Sequence, residues 1–174
     1  GEWKQVPGHQ EIELALLKLA NLCREIGTMN GVDYAAKADK YVALSQFFLD
    51  TRGDHEGRHG QSFWPEGCQD DKPILQQTEA LSHAVRAQYM YTAMADAMIQ
   101  SGKDTYNNVL HALWDSVNTK TYATGGVGVS DHHEGFGPDY YMPIAAAYCE
   151  TCSGIANMMW NQRMNLLFGG SQYA

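Results

Sequence analysis

The feature that most constrains this chain is a punctuated helical repeat. An apolar helical stretch ends at a glycine, a tyrosine follows a few residues on, and a second helical stretch begins. The pattern occurs as I-G-T-M-N-G-V-D-Y-A around Gly27, S-G-K-D-T-Y-N around Gly102 and F-G-G-S-Q-Y-A around Gly169. Gln10–Ile26 places Ile12, Leu16, Leu19, Cys23 and Ile26 on one face at helical spacing. A second helix is expected over Tyr34–Arg52, with Tyr41, Leu44, Phe47 and Phe48 on its inner side. Gln76–Gln100 is apolar or small nearly all round its middle, which predicts burial on every side. Asp104–Thr119 carries a stripe of Tyr106, Val109, Leu110, Leu113, Trp114 and Val117. Ser153–Phe168 is again apolar.

Each repeat reads as a helical hairpin with a short turn, and long loops join one hairpin to the next. Such hairpins cannot bury both faces alone and must stack on neighbours. Short turns then gather at one end and long loops at the other. That layout is an α/α toroid, with buried inner helices alternating with amphipathic outer ones. The third and fifth helices read as inner, the second and fourth as outer. The expected fold class is therefore all-α, an (α/α)6 barrel of which residues 1–174 form roughly half. The alternative is a freestanding five-helix bundle. The chain is expected to be a partial catalytic barrel domain from a longer chain, and the remainder of the barrel is its missing partner. A net charge of −8 argues against nucleic acid or an anionic membrane as partner. No run of ~20 apolar residues offers a membrane span.

Chemistry concentrates in Tyr122–Cys152, where His132, His133, Glu134, Cys149, Glu150 and Cys152 share one glycine-rich stretch. Loops on rigid scaffolds are where chemistry usually sits. Glu134 lies next to Gly135-Phe136-Gly137, and an aromatic neighbour can raise a carboxyl toward the range of a general acid. The plainer alternative is a solvated loop glutamate. Cys149-x-x-Cys152 has the spacing of half a zinc site, or of two packing thiols. Glu150-x-Cys152 is the other pair. At i and i+2 on a helix their side chains diverge by about 200°. They can share a metal only if the helix begins at or after Thr151, and carboxylate with thiolate suits Zn2+. His9 and His83 each begin a helix on the long-loop side; alone, each reads as a structural histidine. His55, His59 and His111 carry no pattern. Arg86 and Arg163 read as structural. The long loop Asp54–Pro73 is a candidate for function by its length. Four cysteines without a stapled-scaffold pattern fit a reducing, cytoplasmic setting.

Several blocks together resemble glycoside hydrolase family 127, the β-L-arabinofuranosidases, with family 146 as a sister. They are P-G-H-Q-E-I-E-L-A-L-L-K-L, Q-Q-T-E-A-L-S-H-A-V-R-A-Q-Y-M, T-G-G-V-G, H-E-G-F-G-P-D-Y-Y-M-P-I-A-A-A-Y-C-E-T-C and N-M-M-W-N-Q-R-M. The resemblance implies an (α/α)6 barrel and a zinc-dependent retaining hydrolase acting on L-arabinofuranosyl oligosaccharides or glycans. It implies Glu134 as acid/base, Glu150 and Cys152 as zinc ligands, and His9 and His83 as sugar contacts. The nucleophile it implies is a cysteine beyond Ala174, so the 174 residues alone are expected to be inactive. Asp131-His132-His133 and Gly135, where alanine is usual, depart from the family pattern. A non-catalytic carbohydrate-binding or scaffold remnant, or another toroid enzyme such as a sugar epimerase or lyase, are the alternatives in function.

Overall fold

A computed structural model describes residues 4–59, 64–128 and 134–173. His132 and His133 lie outside the described residues. Five α-helices carry the chain: α1 (Glu11–Ile26), α2 (Ala35–Thr51), α3 (Ala84–Ser101), α4 (Asn107–Asn118) and α5 (Thr151–Phe168). The three repeat glycines all adopt positive φ, 61° at Gly27, 66° at Gly102 and 67° at Gly169. Each ends its helix in a backbone region that side chains with a Cβ avoid.

The turn after α1 holds something the helical reading did not contain. Thr28–Met29 and Val32–Asp33 pair as β1 and β2, an antiparallel ribbon. Asn30 and Gly31 sit between them, both at positive φ. Asn-Gly is the usual sequence for such a two-residue hairpin turn, so the signal was present.

Helix α3 is the hub. It packs on α1 and on α5, with α4 also against it, while α2 packs mainly on α1. Twelve of its residues between Ala84 and Met98 are buried, as continuous apolar character requires. Tyr91 meets Trp160 of α5 with ring centroids 4.9 Å apart, and Arg163 pairs with Asp96 at 3.1 Å. The row α1–α3–α5 is the inner layer; α2 and α4 lie outside it.

Two buried faces differ from the expected stripes. On α1 the buried set is Glu13, Leu14, Leu16, Leu17, Ala20 and Cys23, whereas Ile12 and Leu19 stay largely exposed. On α2 it is Ala38, Ser45, Leu49 and Thr51, and Leu44 is exposed. Polar groups explain both shifts. Arg52, fully buried, pairs with the fully buried Glu13 and also donates to the carbonyls of Pro7 and Cys68. Ser45 donates to the Glu13 carbonyl at 2.9 Å. Ala38 and Ser45 are small enough for α2 to lie close on α1. The stripe expected on α4 matches its buried residues, with Trp114 half-buried.

Helix α3 starts eight residues later than the expected Gln76. Ile74–Gln76 is a short 3-10 turn. The Gln77 side-chain amide donates to the carbonyls of Gln69 and Lys72. Ser82 takes a left-handed φ of 57°, and its neighbours pair with another loop. The long connection Asp54–Pro73 is pinned from within by Asp70, a buried carboxylate that accepts from the Gly53 amide and from Arg58.

Candidate active site

The long loops meet at the N-termini of α3 and α5. His83 and Gly135 form an antiparallel bridge. The Ala84 amide donates to the Glu134 carbonyl at 2.9 Å, and the Phe136 amide donates to the Ser82 carbonyl at 2.8 Å. Gly135 is required by close approach, since a Cβ there would stand 2.9 Å from the Ser82 oxygen. Phe136 turns into the core, while the Glu134 side chain is left half exposed.

This lacing sets the Glu134 carboxylate against a ring. Its Oε2 lies 2.8 Å from His83 Nε2, and the His83 side chain is buried. Burial holds the His83 pKa below its ordinary value, and Arg86 adds to this against the opposing pull of Glu134 and Glu150. The neutral ring donates Nε2–H to the carboxylate. Nδ1 is then buried without a hydrogen-bond partner.

The second pair is local. Glu150 is the N-cap of α5 with extended backbone, φ −80° and ψ 146°, and the helix begins at Thr151. The condition for convergence is met. Cys152 Sγ lies 3.4 Å from Glu150 Oε2. Burial, reinforced by the Glu150 carboxylate, pushes the Cys152 thiol up. Cys149 faces elsewhere: its thiol donates to the Gly128 carbonyl at 2.9 Å, against the T-G-G-V-G loop. Ser153 donates to the carbonyl of the buried Val127 in the same loop, which fixes the helix start.

Glu134, Glu150, His9 and Arg86 all lie near enough to His83 to act on it electrostatically. Burial raises the Tyr89 hydroxyl, helped by Glu11 and Cys152, and its ring lies 6.0 Å from that of His9. His9 Nδ1 sits 3.3 Å from Glu11. An open groove of about 540 Å3 runs from His9 and Glu11 past Ile12 and Tyr89 to Met159. A second hollow, about 610 Å3 on α5, is lined by Met158, Asn161, Gln162, Asn165, Leu166 and Tyr173 and holds no acid, histidine or cysteine.

Sequence reasoning missed Tyr89 and gave Arg86 a purely structural role. The signal was helical spacing: Arg86 and Tyr89 are three apart, neighbours on the first turns of α3. His55 and His111 are structural, bound to the carbonyls of Asp70 and Asn107.

Among the described residues no three His, Cys, Asp or Glu side chains converge on a metal position. Glu150 and Cys152 supply two donors. Zinc bonds of about 2.1 Å to oxygen and 2.3 Å to sulfur at a tetrahedral angle put the two atoms about 3.6 Å apart. The observed 3.4 Å fits a shared ion.

Residues 2–174 match the family described as β-L-arabinofuranosidase, GH127 catalytic domain. A non-reducing end β-L-arabinofuranosidase of Bifidobacterium longum is 30% identical over 184 residues, covering 96% of this chain and 26% of that protein. A solved GH127 β-arabinofuranosidase superposes with a TM-score of 0.79 at 41% identity, over 97% of this chain and 24% of that one. A GH127 β-L-arabinofuranosidase from Geobacillus stearothermophilus T6 gives 0.82 at 37% identity, over 99% and 27%. The chain thus spans about a quarter of the length of these relatives.

Proposed function

We propose a function from one premise: the chain belongs to the GH127 β-L-arabinofuranosidase catalytic-domain family. The whole protein is a retaining glycoside hydrolase that releases β-L-arabinofuranose from oligosaccharides or glycoconjugates. The observation that carries this reading is the Glu134 carboxylate, held 2.8 Å from His83 Nε2.

Glu134 is the acid/base. With Oε2 bound by His83, its other oxygen carries the proton to the departing sugar oxygen. Once that bond has broken, the same carboxylate takes a proton from the incoming water. His83 fixes the carboxylate's orientation, and its neutrality leaves the acid as the group that gives up the proton. His9 and His83 contact the sugar. Glu150 and Cys152 hold Zn2+ from one side. When bound, the ion keeps thiols as thiolates at neutral pH. The nucleophile is a cysteine outside these 174 residues, so the chain alone turns nothing over. The four unpaired thiols support a reducing, cytoplasmic setting, which fractionation of the source cells would test.

The decisive experiment incubates the whole protein with an aryl β-L-arabinofuranoside and follows the anomeric signal of the first product by NMR. Release of β-L-arabinofuranose is expected. First release of the α anomer would overturn retention, and no release would overturn the activity.

A further inference from the structure

The wall of the site beyond His83 is built from residues to which no role has been given. Trp64 lies with its ring centroid 6.1 Å from that of His83, and the Arg86 guanidinium stands 5.7 Å from the indole centroid. The guanidinium lies over the ring within cation–π range, and Trp64 is part-exposed. Its placement is deliberate in the steric sense. The Cys68 amide donates to the Trp64 carbonyl, and the Asp70 amide to that of Pro65, around the 3-10 turn Glu66–Cys68. Gly67 lies directly under the ring: a Cβ there would stand 2.1 Å from the indole. One ring face therefore rests on bare backbone.

The turn is also tied to the rest of the site. Cys68 donates to the Gly8 carbonyl beside His9 at 3.2 Å, its own carbonyl accepts from buried Arg52, and Arg86 reaches its sulfur at 3.6 Å. Arg86 has no carboxylate partner among the described residues, and its donors are not used up. A rigid aromatic face beside a cation without an anion is suited to a sugar ring, which offers an apolar C–H face and a rim of hydroxyls.

We propose that Trp64, cradled by Gly67 and flanked by Arg86, is the wall that binds the sugar on the leaving-group side of the scissile bond. This rests on the glycosidase reading above. The assignment to that side follows from position. The Trp64 ring lies beside His83, and His83 binds the Glu134 acid/base that must reach the leaving oxygen.

The test uses the whole protein, wild type, Trp64→Ala and Trp64→Phe, on two substrates. One is methyl β-L-arabinofuranoside, whose leaving group offers nothing to stack. The other is a β-L-arabinofuranosyl disaccharide. Trp64→Ala should lower kcat/KM on the disaccharide about tenfold, leave the methyl glycoside within about twofold, and be largely rescued by Trp64→Phe. An equal fall on both substrates, or none on either, overturns the proposal. If wild type hydrolyses neither, the glycosidase reading has failed. The wall is then judged by calorimetric titration of the disaccharide: affinity lost in Trp64→Ala supports it, and unchanged or undetectable wild-type binding overturns it.

Discussion

The two sides of the site are built by opposite means. Glu150 and Cys152 converge within one helix start, three residues long, because the N-cap is extended and the next residue is helical. Glu134 and His83 converge only because two long loops, fifty residues apart in sequence, are laced by a backbone bridge. In the roles proposed above, a metal-binding pair can tolerate a local arrangement, since the ion itself would complete the geometry. A general acid has no such help and must be held from outside. The difference teaches where each side is vulnerable: the local pair at its own atoms, the laced pair at backbone positions that do no chemistry.

That contrast can be broken experimentally. The largest effect is expected from Glu134→Gln, which should lower kcat/KM of the whole protein about 10²–10⁴-fold with an unchanged circular dichroism spectrum. A smaller loss would strip Glu134 of its role. Cys152→Ser should abolish stoichiometric zinc, measured by elemental analysis of the purified whole protein, while shifting metal-free stability by less than about 1 kcal/mol. Zinc retained at wild-type stoichiometry would separate the pair from the metal. Gly135→Ala should cost about 1–3 kcal/mol in urea unfolding, because the Ser82 backbone must move. A neutral result would mean that the bridge is not what positions Glu134.

The smallest effect is a pH slope. The folded pKa of His83 lies below its ordinary value, so folding favours the neutral ring. The associated stability is fully present above about pH 6.5. It is lost as pH falls and the unfolded chain takes up the proton first. Urea midpoints between pH 7.5 and 5.5 should fall more steeply for wild type than for His83→Gln. Parallel slopes would show that burial of this ring is not what the lacing achieves.

Legibility in the sequence follows the same division. The helix count, the alternation of inner and outer helices and the glycine stops were readable because they are local and periodic. So was the demand that α5 start no earlier than Thr151, a statement about three residues. The late start of α3 was not. Nothing in Gln77–His83 announces that its amides and carbonyls are claimed by side chains and by a strand fifty residues away. The faces of α1 and α2 were misjudged for a related reason. Apolar stripes assume that polar residues face water, and Glu13, Ser45 and Arg52 are buried partners of one another. Trp64 and Arg86 were invisible as a pair because their relation exists only after the loops have folded.

Arg52 carries one more consequence. Its guanidinium holds the α1 carboxylate of Glu13, the Pro7 carbonyl two residues before His9 and the carbonyl that ends the Trp64 turn. Removing one partner of such a buried pair costs about 3–5 kcal/mol, so none of these segments can loosen alone. Amide hydrogens in the His9 lead-in, the α1–α2 hairpin and the Glu66–Cys68 turn should therefore exchange with solvent at a common rate, as one opening unit. Loops that would otherwise fray on their own schedule are clamped to the lifetime of a helix pair, and any ligand arriving at this face meets a surface already set.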